Sequence, residues 1–156
     1  GFYLDPDIRC TCSQAKVKGY FGKIAGPILD RIDIEVLLER VPYHDLMDAG
    51  TGESSKEIRM RVMRARDIQA LRFSGSKTAY NSRMTNRQVR EFCRLDVQSE
   101  QLLESAIKKM HLSARSFFRI LKVARTIADL AGASNIAASH ILEAISYKNM
   151  HRLYNL

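Results

Sequence analysis

A series of helix-start signals from residue 54 onward most limits what this chain can fold into. They are the capping boxes Ser54/Glu57 and Thr85/Gln88 and the N-cap residues Asp96 and Ser113. In a capping box the two side chains satisfy backbone N–H groups that the first helical turn leaves without partners. The spacing predicts helices over about 54–73, 86–92, 97–110 and 113–132, the last ended by Gly132. The chain is therefore predicted to be mainly α-helical.

The N-terminal third follows a different pattern. A loop rich in turn-forming residues precedes a short helix predicted from Ser13 to Phe21. Ile32, Ile34 and Val36 then alternate with acidic residues, which predicts a half-buried strand over 32–41. A lone strand is not a stable sheet, so this part either borrows strands or belongs to a larger module. We expect two domains, 1–50 with the strand and 51–156 with helices only.

The helical periodicity assigns a buried and a polar face to the two long helices. The helix at 54–73 is predicted to bury Ile58, Val62, Ala65, Ile68 and Leu71 and to expose Arg59, Arg61, Arg64, Arg66 and Arg72. The helix at 113–132 turns its apolar side chains to one face and Arg115, Arg119 and Lys122 to the opposite face. Between helices, 74–84 is rich in glycine and serine and is predicted to be a mobile linker.

Composition narrows the classes of function without choosing among them. The 156 residues carry a net charge of +8, which favours an anionic partner but is also compatible with simple solubility. No apolar run approaches the ~20 residues of a membrane span, and no segment of secretory type is present, so we expect no membrane contact. The three cysteines, an odd number, favour a reduced, cytoplasmic setting. Cys10 and Cys12 form a C-x-C pair, by itself a weak zinc signal, since zinc takes four ligands.

Two groups of arginines admit both a structural and a functional interpretation. Arg31 lies between Asp30 and Asp33 at the predicted rim of a sheet and is either a surface ion-pair residue or a functional cation. The face of Arg115, Arg119 and Lys122 is either a solvated basic surface or a ridge that binds phosphate oxygens.

Four segments, "GPILDRIDI", "GESSKEIRMRVMRAR", "LSARSFFRILKVARTIADLAG" and "HILEAISYK", occur in this order. Together they resemble the C-terminal half of the Mg-chelatase-related AAA+ ATPases of the bacterial competence-associated ComM/YifB type. The resemblance covers nearly the whole chain. It implies a remnant of an α/β ATPase core with one strand, followed by a helical AAA+ lid domain.

The resemblance also implies roles for individual residues. Arg31 matches the arginine finger, which reaches the nucleotide of the neighbouring subunit. Arg115 matches the second sensor of the lid, and Arg119, one turn along, is the alternative. Cys10 and Cys12 match half of a paired cysteine segment, so they are a candidate half of a zinc site whose thiols we expect to be empty in this chain.

No G-x-x-x-x-G-K-[ST] motif occurs in the sequence, so we expect this chain alone to hydrolyse no ATP and to hold no cofactor. ATP and Mg would be cofactors of the full-length protein.

Three functions follow as hypotheses. The first is an ATP-driven hexameric ring motor that acts on single- or double-stranded DNA as a helicase or remodelling enzyme in competence or recombination. The second is a stand-alone basic helical module that binds nucleic acid through Arg59, Arg61, Arg64 and Arg66. The third is the ATPase subunit of a magnesium chelatase, which rests on kinship of fold alone.

Overall fold

The chain folds into two compact units that differ in how much secondary structure they contain. The computed structural model describes residues 2–3, 5, 7–23, 28, 30–36, 38, 40–47 and 52–148. Unit 1 comprises Gly1–Ala49 and Lys148–Leu156, and unit 2 comprises Gly50–Tyr147. The described residues are mainly α-helical, which confirms the predicted fold class. None of their helices combines the length and the apolar character that crossing a membrane requires.

Unit 1 contains two short helices, α1 (Gln14–Phe21) and α2 (Tyr43–Met47). The predicted helix is present, and Ser13 caps it, because its hydroxyl accepts a hydrogen bond from the Lys16 backbone N–H at 3.3 Å. Among the described residues of this unit, Val17 is the buried hydrophobic side chain. Its apolar core is therefore small.

The predicted strand over 32–41 is wrong for the described residues of that range, none of which is in a strand. A strand needs a neighbour for its backbone N–H and C=O groups, and no described segment of the chain pairs with this one. The alternation has no buried face either, since Ile34 and Val36 are exposed. Glu35 is buried instead, and its carboxylate lies 3.8 Å from the Lys148 ammonium, which also donates to the Ile32 carbonyl.

Unit 2 is a bundle of five α-helices and one 3₁₀ turn in its described residues. They are α3 (Ser55–Arg72), the 3₁₀ turn (Asn81–Arg83), α4 (Asn86–Phe92), α5 (Val97–Met110), α6 (Ala114–Leu130) and α7 (Ala138–Ser146). Both predicted capping boxes are present, and Asp96 and Ser113 cap α5 and α6. Gly132 follows α6 with a φ of 68°, the left-handed conformation that glycine adopts without strain.

Helix α6 is the centre of the bundle. It packs against α7, α3, α4 and the 3₁₀ turn, while α5 packs against α7. The core consists of side chains from α4, α5, α6 and α7 and from the connections, and includes Phe73, Met84, Val89, Cys93, Leu103, Leu112, Ile120, Leu121, Ala124, Ala128, Ile136, Ile141 and Ala144. Because α6 contributes its apolar face to this core, its opposite face is turned outward.

Two local predictions in unit 2 are wrong. In α3 the predicted stripe is buried only at Ala65 and half-buried at Ile68, whereas Ile58, Val62 and Leu71 are exposed. Periodicity identifies a face of a helix but does not say how far the neighbouring elements extend along it. The segment 74–84, predicted to be a mobile linker, contributes two buried residues, Asn81 and Met84.

Candidate functional site

A basic cavity on the outward face of α6 is the candidate site. Its volume is about 320 Å³ and its lining consists of Asn86, Ala114, Arg115, Phe118, Arg119 and Lys122. Three of these side chains are cations, and the described residues that line the cavity include no carboxylate. Guanidinium and ammonium groups are the protein cations whose geometry and charge match phosphate oxygens.

The local sequence explains why the three cations meet. Ser113 begins α6, since its hydroxyl accepts from the Ser116 backbone N–H at 3.2 Å. From there Arg115, Arg119 and Lys122 follow at spacings of four and three residues, which places them on one face of the helix. The predicted basic face is therefore confirmed as a face, and Arg115 and Arg119 line the same cavity.

Lys122 links this face to the 3₁₀ turn. Its ammonium donates a hydrogen bond to the Ser82 carbonyl at 3.1 Å, across 40 residues of chain. Arg115 is exposed, and Arg119 and Lys122 are half-buried. The exposed Arg115 is therefore the cation nearest the start of α6.

A buried ion network lies further along α6, and the sequence analysis missed it. Asp129 accepts from Arg72 at 2.5 and 2.7 Å and from Arg125 at 3.1 Å, and it also accepts from Asn81 at 2.8 Å. Arg125 donates in addition to the carbonyls of Ala133 and Ser134. This network joins the end of α3, the 3₁₀ turn and the end of α6.

The network corrects the role predicted for Arg72, which is in a buried ion pair and not on the basic surface of α3. Burial lowers the pKa of the Arg125 guanidinium below its usual value, while the Asp129 carboxylate opposes that shift. Burial also raises the pKa of the nearby Cys93 thiol to about 11. The spacing of Arg125 and Asp129, four residues apart on one helix, was the available sequence signal.

The arginines predicted to form a nucleic-acid surface on α3 divide between two sides of the helix. At 100° per residue Arg59 and Arg66 fall on one side and Arg61 and Arg64 on another. Arg61 makes a bidentate ion pair with Glu53 at 2.5 and 2.9 Å. The guanidinium of Arg66 lies 3.9 Å from the centroid of the Tyr80 ring.

Arg31 belongs to unit 1. Its side chain is exposed, and its backbone N–H donates to the Ile28 carbonyl at 2.9 Å in a turn. Arg31 was predicted to lie at the rim of a sheet, and the structure places it in this turn instead. The structure thus holds Arg31 in one unit and the basic cavity in the other.

Cys10 and Cys12 are half-buried free thiols in unit 1. Hydrogen bonding from the Cys12 backbone holds the pKa of the Cys10 thiol below its usual value. In the described part of the chain, no cluster of three or more His, Cys, Asp or Glu residues is arranged to hold a metal ion. Two cysteines do not complete the four-ligand set that structural zinc takes, so no chemistry is assigned to zinc here.

Comparison with known proteins gives matches along both units. The family described as "Magnesium chelatase, subunit ChlI C-terminal" matches residues 52–148, and "Magnesium chelatase, subunit ChlI" matches residues 1–46. Competence protein ComM of Haemophilus influenzae is 37% identical over 142 residues, which are 90% of this chain and 27% of ComM. The uncharacterized protein YifB of Escherichia coli is 35% identical over 154 residues, 98% of this chain and 29% of YifB. The chain thus spans less than a third of the length of these curated relatives.

Proposed function

The chain belongs to the magnesium chelatase-related family of the ComM and YifB type, and on that premise we propose that it supplies two arginines to ATP hydrolysis by a ring-shaped assembly. Arg115 contacts the phosphates of the nucleotide in its own subunit, with Arg119 as the alternative. Arg31 reaches the nucleotide of the neighbouring subunit. The assembly is a hexamer that acts on DNA in the cytoplasm.

The basic cavity is the observation that carries this proposal. Phosphoryl transfer spreads negative charge over the equatorial oxygens of the transferred group, and fixed cations lower the free energy of that transition state. Arg115, Arg119 and Lys122 supply three positive charges around about 320 Å³ of open space. This donor set fits phosphates, which ATP and Mg together would bring to it.

Arg31 is assigned on exposure and charge. A residue that acts on a neighbouring subunit must present its cation at the surface, and the Arg31 side chain is exposed. A guanidinium keeps its charge at every physiological pH, as an arginine finger requires.

Two other functions remain as alternatives. A stand-alone module that binds nucleic acid is favoured by the exposed arginines of α3. The ATPase subunit of a magnesium chelatase is favoured by the descriptions of the two matching families. ATP-dependent unwinding of DNA, compared with ATP-dependent insertion of magnesium into a porphyrin, separates the ring motor from the chelatase.

The test uses a protein that carries this sequence together with a P-loop core. Arg31→Ala should lower ATP turnover on the order of 10³-fold or more and leave ATP binding nearly unchanged. Arg115→Ala should weaken ATP binding as well as turnover. Arg90→Ala, an exposed arginine on α4 outside the cavity lining, is the matched control and should change neither.

Mixing of subunits makes the test of Arg31 sharper. Subunits with a disabled P-loop keep Arg31, so in mixed rings they should restore turnover to Arg31→Ala subunits. Mixed rings that form without any recovery would contradict the role in trans. Loss of fold in Arg31→Ala would identify Arg31 as a structural ion-pair residue.

A further inference from the structure

A second cavity in unit 2 lies between α3, the 3₁₀ turn and α6. Its volume is about 240 Å³, below the ~300–1,000 Å³ of pockets that hold drug-sized molecules. Its lining includes Val62, Arg66, Tyr80, Ser82 and Leu130. This space suits a single planar ring system rather than a large ligand.

The walls of this cavity combine apolar, aromatic and hydrogen-bonding groups. Val62 and Leu130 are apolar and remain 42% and 40% exposed. Tyr80 is 46% exposed, and the Arg66 guanidinium is stacked 3.9 Å from its ring centroid. The exposed hydroxyl of Ser82 can donate and accept hydrogen bonds. A flat ring that covers these exposed hydrophobic side chains removes apolar surface from water, which favours binding.

The electrostatics of the surroundings favour a ring that carries phosphates. Within the described residues the cavity lining has one cation, Arg66, and no carboxylate. Arg59 lies seven residues earlier on the same side of α3, about 10 Å along the helix axis. On the other side, the Ser82 backbone accepts from Lys122 of the basic cavity at 3.1 Å. Positive charge therefore flanks the cavity on both sides.

We propose that this cavity binds one base of a single-stranded nucleic acid, with the base against the Tyr80–Arg66 stack and the flanking phosphates near Arg59 and Lys122. Proteins that bind single strands without sequence preference combine a positive surface with aromatic and arginine faces on which bases stack. The proposal deepens the action on DNA proposed above but requires neither ATP nor Arg31. The central contact with the base comes from Tyr80, a residue that the sequence analysis did not identify.

The test uses two single-stranded DNAs of equal length and charge, an oligothymidylate and an abasic strand. Fluorescence anisotropy measures the affinity of each for the full chain. The wild type should prefer the oligothymidylate by roughly 5- to 100-fold, the range for stacking of one base. Tyr80→Ala should bring that preference close to one, whereas Tyr80→Phe, which keeps the ring, should retain it.

Two arginines of α3 provide a matched pair. Arg66→Ala should lower the affinity for oligothymidylate more than that for the abasic strand. Arg64→Ala removes the same charge from a different side of the helix, so it should weaken both strands by the same factor. Circular dichroism of each variant establishes that unit 2 remains folded.

Equal binding of the two strands by the wild type, or an unchanged preference in a folded Tyr80→Ala variant, would overturn the base site. Competition by free thymidine monophosphate as effective as that by the strand would overturn its assignment to a strand. Because no ATP is present, these outcomes leave the proposed role in ATP hydrolysis to its own test.

Discussion

The two units of this chain differ in how far they bury their largest apolar side chains. In unit 2, Ile120 and Ile141 are no more than 1% exposed, whereas in unit 1 Ile34, Val36 and Leu38 are 53%, 65% and 87% exposed. Burial of apolar surface is the main favourable term in folding. Unit 2 therefore contains the driving force for its own fold, and unit 1 leaves much of its apolar surface in water.

The largest expected effect is on amide hydrogen exchange. Helices α5 and α6 of unit 2 should exchange about 10³-fold or more slowly than unprotected amides, since their core opens only on global unfolding. The amides of 32–36 in unit 1 should exchange at rates close to those of an unfolded chain. Mass spectrometry of peptides from the exchanged full chain measures both.

A second sample, containing residues 50–147 alone, serves as the control for this comparison. The same slow exchange in α5 and α6 would establish that unit 2 folds by itself. Equal protection of unit 1 and unit 2 in the full chain would contradict this comparison. It would mean that hydrogen-bonded structure protects the amides of the unit 1 segment as well.

The next effect concerns the buried ion networks of the two units. Asp129→Asn leaves the Arg72 and Arg125 guanidinium groups without their carboxylate, which should lower the free energy of unfolding of unit 2 by about 3–5 kcal/mol. Glu35→Gln changes the buried carboxylate of unit 1, which lies 3.8 Å from Lys148. It should leave the unfolding midpoint of unit 2 unchanged.

Denaturant unfolding followed by the helical signal measures both variants. Glu104→Gln, in an exposed ion pair with Lys108, is the surface control and should lower the stability far less than Asp129→Asn, since water and salt screen an exposed pair. A loss in Glu35→Gln as large as that in Asp129→Asn would show that the two units unfold as one body.

The helices of unit 2 could be predicted because their signals are local. The Ser54/Glu57 box and the Asp96 cap act within one turn of chain, and the residues that satisfy the backbone are adjacent in sequence. The strand could not be predicted from local signals, because a strand forms only beside a partner strand. The alternation of Ile32, Ile34 and Val36 does not show whether such a partner exists. The same limit explains why Ile58 and Val62 are exposed on α3.

The candidate site could be predicted in part. The spacing of Arg115, Arg119 and Lys122 on one helix fixes their common face. The Arg72–Asp129 pair joins residues 57 positions apart, and the Tyr80–Arg66 contact joins two separate elements. Both contacts depend on how the helices and the 3₁₀ turn pack together, which a local sequence pattern does not predict.

The smallest expected effect comes from the charge of a single cap in unit 2. The Ser99 backbone N–H donates to the Asp96 carboxylate at 2.7 Å, and this hydrogen bond holds the pKa of Asp96 below the usual 3.8. A lowered pKa in the folded state stabilises the fold at pH values above the pKa of the unfolded chain. That contribution is lost as the pH falls through the folded-state pKa. Asparagine caps a helix about as well as aspartate, so Asp96→Asn removes the charge and keeps the cap.

We therefore expect Asp96→Asn to be less stable than the wild type at neutral pH, with a difference that narrows below about pH 5 and closes under acid conditions. Thermal unfolding across this pH range measures the difference. Asp67→Asn removes an exposed carboxylate from within α3 and should change the stability less than Asp96→Asn throughout. A constant difference at all pH values would mean that the Asp96 charge adds nothing to the cap. In that case unit 2 would owe its stability over unit 1 to its core and its buried ion network alone.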